Sequence, residues 1–173
     1  MTLDAVKAGG LLLFAALIQV SIASTIGVAD GHPDVVLVVL IGIALLRGPL
    51  FGAVGGFWAG LALDVVTLEP LGLTSLLLTL VGYFAGRLGD VTTKSSAHPS
   101  LVAVALGTIG FAIGSAVLHF MLDSTLSAGH FFVGVLLPTL ALNLLLAYPT
   151  YGLCRRIFRA EKPERREVSP AVQ

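Results

Sequence analysis

The sequence predicts an all-α integral membrane protein with six transmembrane helices, and three observations carry that reading. First, 56% of its 173 residues are hydrophobic and 12% are charged, with a mean hydropathy of +0.97; soluble domains carry roughly 25% charged residues. A chain so poor in charge cannot cover a surface facing water. Second, apolar runs of membrane-crossing length recur along it. Third, its basic residues all fall on one side of a six-span threading. No stretch alternates with the period of two that marks a membrane barrel strand.

The first span is residues 8–29, which is 22 residues without a charge; about 20 are needed to cross the hydrocarbon core. Ser21-Ile22-Ala23 would pass as a signal-peptidase site. The run exceeds the roughly 7–15 apolar residues of a signal peptide, and further spans follow, so it reads as a retained helix. Residues 33–66 are too long for one span and are broken at Arg47-Gly48-Pro49, a turn signal. They divide into helices over 33–47 and 49–66. The first of these rises only about 22 Å at 1.5 Å per residue, which leaves open a thinned bilayer or a re-entrant pair. Three more spans follow at 70–87, 99–122 and 131–154. The chain is thus expected to form a single membrane domain over residues 1–158 and a charged, disordered basic tail over 159–173. The tail serves as an orientation determinant, with contact to anionic lipid as a second role.

Charge tests the span count independently. With a cytoplasmic N-terminus, six spans place Lys7, Arg47, Arg87, Lys94 and the six basic residues from Arg155 onward on the inner side. The outer side receives Asp30, Asp34, Asp64, Glu69 and Asp123 and no lysine or arginine. An odd number of spans would destroy this bias, so both termini are expected in the cytoplasm of a bacterial plasma membrane. Tyr83, Tyr148 and Tyr151 lie near the inner ends of their helices, where an interfacial aromatic belt belongs.

The most specific pattern is a stripe on the third helix: Gly48, Gly52, Gly56 and Gly60 recur every four residues, and Asp64 continues it. Such a stripe lets another helix backbone approach closely, within the chain or from a partner. Shorter echoes pair Gly82 with Gly86 and Gly110 with Gly114. Asp64 is an intramembrane carboxylate near the outer end of its helix. Capping the following loop and contacting a partner or ligand are both open to it. The outer side also collects Asp34, His32, His119, Asp123 and His130. His119 and Asp123 have the i, i+4 spacing of a metal pair, although interfacial polarity also accounts for them and no HExxH cluster is present. Asn143 and Pro138 are expected to hydrogen-bond and bend the last helix.

Catalytic patterns are missing. There is no Gly-x-Ser-x-Gly, Ser115 and His119 lack an oxyanion-hole context, and no glycine-rich phosphate loop precedes a soluble helix. Cys154, the single cysteine, admits no intramolecular disulfide or thiolate metal site. No cofactor is expected.

The stretch Pro33-Asp34, Arg47-Gly48-Pro49, Gly55-Gly56-Phe57-Trp58-Ala59-Gly60 with Asp64, and Pro70-Leu71-Gly72-Leu73 resembles the bacterial rod shape-determining MreD family. The matching segment runs over 33–86. The resemblance implies a non-enzymatic subunit of the cell-wall elongation machinery, working with MreC and through it with MreB, RodA and a class B penicillin-binding protein. The family is also similar in architecture to the six-helix substrate-binding S components of energy-coupling factor vitamin transporters, which supplies the rival function. S components carry Ala-x-x-x-Ala in their first helix, whereas Ala15, Ala16 and Ala23 here are followed four residues on by Gln19, Val20 and Gly27.

Overall fold

The computed structural model describes residues 2–23, 32–68, 70–91, 98–122 and 136–158. Among these residues the regular structure is entirely helical: α1 (Thr2–Ala23), α2 (Val35–Arg47), α3 (Pro49–Thr67), α4 (Leu73–Val91), α5 (His98–Leu122) and α6 (Leu137–Phe158). The tail over 159–173 and the segment holding Asp30 lie outside the described residues, as do Asp123 and His130.

Helix bounds differ from the expected spans where polar residues find partners inside the bundle. α1 starts at Thr2 and takes in Asp4 and Lys7, because Asp4 is buried against Arg47 with Oδ2–Nη1 at 2.8 Å. α4 begins at Leu73 and continues through Arg87 to Val91, and α6, described from Leu137, continues to Phe158. Pro138 lies near the start of the described part of α6, and residues 131–135, just ahead of that start, lie outside the described residues. The proline inside that helix is Pro149.

α2 is the centre of the bundle and packs against all five other helices. Every residue from Val36 to Leu45 is buried, the all-round apolar pattern of a helix enclosed by protein. Its 13 residues rise about 20 Å at 1.5 Å each. Four of the described helices, α1, α3, α5 and α6, are long and apolar enough to cross a membrane. α2 is shorter, and α4 carries Arg87 and Asp90 near its end.

α3 and α4 form an antiparallel pair whose backbones touch along most of their length. Positions fall on α4 as they rise on α3: Gly52 lies on Gly82, Gly56 on Leu78 and Gly60 on Ser75, while Gly86 lies on Pro49. The Ser75 hydroxyl donates to the Phe57 carbonyl at 2.8 Å, a polar bond across the seam.

Lys7, Arg47, Arg87, Arg155 and Arg156, the basic residues described, all lie within two turns of a helix terminus at one end of the bundle. Arg47 gathers that end. Besides Asp4 it reaches the Phe158 carbonyl at 3.4 Å and covers the Phe158 ring at 5.2 Å, tying α1, α2 and α6 together. The opposite end holds Asp34 and Asp64.

Candidate functional site

The glycine stripe faces α4. A Cβ at Gly56 would collide with the Leu78 carbonyl, one at Gly60 with the Ser75 backbone, and one at Gly52 with the Gly82 carbonyl. These are backbone obstructions that no rotamer change relieves. Gly48 acts differently, ending α2 and capping α3 at φ +94°, a conformation open to glycine, with its Cβ position 3.8 Å from the Asp90 carboxylate. The α4 echo, Gly82 and Gly86, meets the same seam. The α5 echo does not: Gly110 has open space around it, and Gly114 meets only the flexible Leu77 side chain.

Asp64 terminates the stripe and is completely buried. Its Oδ2 accepts the Gly72 N–H at 2.8 Å and the Ser75 N–H at 3.4 Å, while Oδ1 accepts the Thr74 N–H at 3.2 Å. The first N–H groups of a helix have no partner within it, and those of α4 are met by a carboxylate from α3 placed where the helix dipole favours negative charge. The turn between them needs Leu68 at φ 57° and Gly72 at φ 101°. Glycine at 72 thus serves both the turn and the bond to Asp64.

A second polar cluster joins four helices at the same end. The Asp34 N–H donates to Asn143 Oδ1 at 2.8 Å, and Asn143 Nδ2 donates to the Thr108 hydroxyl at 3.1 Å. Gln19 accepts the Val36 N–H at 2.9 Å and donates to Asp34 Oδ1 at 3.4 Å. Two free N–H groups at the start of α2 are therefore capped by side chains from α6 and α1 rather than by Asp34 itself. Asn143 hydrogen-bonds as expected of it, whereas the sequence gives no sign of the partners that Gln19 and Thr108 find, because those lie on other helices.

Two cavities of about 190 and 180 Å³ open beside this cluster, and both are lined by Asp34, Phe111 and Ser115. His119 belongs to α5, but its side chain and all of Asp123 lie outside what is described. Among the described residues no group of three or more His, Cys, Asp or Glu could hold a metal. A third hollow of about 890 Å³ is an apolar groove between α1 and α3, running from Ala5 to Ala16 on one side and from Leu50 to Val66 on the other.

Buried interhelical polar bonds, a glycine-packed hairpin and an apolar exterior define a polytopic helical membrane protein. The chain belongs to the MreD family: the profile of the rod shape-determining protein MreD matches residues 6–159. It is 37% identical over 90 residues to the cell shape-determining protein MreD of Streptococcus pneumoniae, covering 51% of this chain. The match spans 54% of that relative, about half its length. No solved structure matches the chain.

Proposed function

We propose that the protein is a non-enzymatic membrane subunit of the machinery that determines rod shape and lateral wall synthesis. Its contact with MreC couples the bundle to MreB, RodA and a class B penicillin-binding protein. The observation that carries this reading is the family match, which takes in nearly all of the described helices. The glycine seam and the Asp64 cap supply a rigid frame, and the apolar groove and the Asp34 end remain as surfaces for partners. Both termini face the cytoplasm in this reading, since the described basic residues gather at one end of the bundle.

Depletion in a rod-shaped host, with re-expression from a plasmid, tests the proposal. Rounded or widened cells are expected, with shape restored by the wild-type chain and MreC recovered with tagged protein from mildly solubilised membranes. Normal shape on depletion, accompanied by a vitamin requirement, would overturn it in favour of a transport subunit.

A further inference from the structure

We propose that the junction of the two cavities at the Asp34 end binds a primary ammonium group on a short alkyl stem. The inference stands on the geometry of the pocket and does not depend on a role in cell shape. The residues common to both cavities are a carboxylate, an aromatic ring and a hydroxyl: Asp34, Phe111 and Ser115. Together these supply a counter-charge, a face with negative quadrupole and a neutral acceptor, the three groups that hold an alkylammonium.

Three further features narrow the class. No lysine or arginine is among the described residues lining either cavity, and the one basic side chain there, His32, lines the second cavity alongside Asp34, so an anion would meet a carboxylate and no permanent cation. A divalent metal is disfavoured because Asp34 is the single carboxylate among the described residues of the two linings, and such ions require several charged or carbonyl oxygens. The first cavity also has an apolar wall, with Leu37, Leu63 and Leu77 among its lining residues, which suits a hydrocarbon stem. Asp34 is already held in place for such a ligand. Its own N–H is fixed by Asn143 and its Oδ1 by Gln19, so the carboxylate is oriented before a ligand arrives.

An ammonium of this kind is found on the phosphatidylethanolamine headgroup and on free alkylamines, and two probes separate the sources. Full-length protein in nanodiscs of mixed phosphatidylethanolamine and phosphatidylglycerol is released for native mass spectrometry to read which lipid is retained. The same protein in detergent is titrated with n-butylammonium and with 1-pentanol, a neutral probe one methylene longer and so favoured by the apolar wall, each read by saturation-transfer NMR above empty micelles. Retention of phosphatidylethanolamine alone assigns the lipid headgroup, and binding of n-butylammonium alone assigns a soluble amine. Asp34→Asn should weaken the bound amine by about tenfold through loss of the charge-assisted bond. Phe111→Leu should weaken it by about two- to fivefold through loss of the ring face. Gly110→Ala, which meets open space, should leave it unchanged. Should Asp34→Asn fail to accumulate, Phe111→Leu and Ser115→Ala carry the test. The proposal is overturned if neither amine binds, if 1-pentanol binds as well as n-butylammonium, or if the folded pocket variants all bind as the wild type does.

Discussion

Asp64 has three backbone N–H groups around one carboxylate, and that number decides what its substitution does. Asparagine keeps the size but offers one acceptor oxygen, so its amide NH2 must face either the Thr74 N–H or the pair from Gly72 and Ser75. Leaving a buried donor unmet costs about 1–3 kcal/mol. Asp64→Asn is therefore expected to lower the melting temperature and the accumulation of the protein before any partner is involved, as read by fluorescence-detected chromatography of heated membrane extracts. Unchanged thermal stability would show that the carboxylate is not needed as a cap. At the other end, the Asp4 and Arg47 pair is a second residue-scale test: Asp4 is buried and Arg47 half-buried, and removing the carboxylate takes away the charged partner of Arg47, at a cost of about 1 kcal/mol or more. Asp4→Asn should destabilise the protein in the same assay, and Asp4→Asn combined with Arg47→Met should recover part of the loss.

At the scale of the helix pair, the seam between α3 and α4 makes glycine replacement strongly dependent on position. Gly56→Ala puts a methyl group against the Leu78 carbonyl, whereas Gly110→Ala puts one into open space. Overpacking costs about 1–3 kcal/mol, and alanine is favoured over glycine in a helix by about 1 kcal/mol where nothing obstructs it. Gly56→Ala is expected to reduce accumulation severalfold and Gly110→Ala to match or exceed the wild type, by quantitative immunoblotting of membranes. Equal levels would refute close packing along the stripe. The stripe itself was legible because the glycines recur every four residues, and three of them, Gly52, Gly56 and Gly60, share one face of α3 while Gly48 caps it. Its complement was only half legible: Gly82 and Gly86 repeat the spacing, but Leu78 and Ser75 receive α3 on backbone atoms and so leave no trace in side-chain type. Gly110 and Gly114 show the converse, the same spacing with no helix backbone opposite. The start of α1 at Thr2 lies before the expected span because the helix takes in Asp4, whose partner Arg47 is on another helix, and hydropathy does not encode such a partner.

For the whole molecule, the one-sided gathering of Lys7, Arg47, Arg87, Arg155 and Arg156 makes a direct prediction about orientation. In a Cys154→Ala background, single cysteines at His32 and Leu68 should react with an impermeant maleimide from outside intact cells. Cysteines at Arg87 and Arg156 should react only after permeabilisation. The reverse pattern would overturn a cytoplasmic placement of the termini. Composition was enough to announce a helical membrane protein, since charge content is a property of the total surface. It could not announce that the shortest apolar helix lies at the centre, because a short apolar run reads the same whether lipid or protein surrounds it.

That central position bears on how the chain is made. α2 rises about 20 Å against a hydrocarbon core of about 30 Å, with Asp34 at one end and Arg47 at the other. Alone in lipid it would draw both charges below the interfaces. Part of its shelter precedes it, since α1 brings Asp4 to Arg47 and Gln19 to the start of α2; the rest comes late, Asn143 lying 109 residues after Asp34 and Phe158 111 after Arg47. The partnering of both ends of α2 is therefore completed only when α6 is in place. A chain without α6 would leave the Asp34 N–H without Asn143 and Arg47 without Phe158, so a helix more than a hundred residues downstream completes the packing of the first half of the bundle.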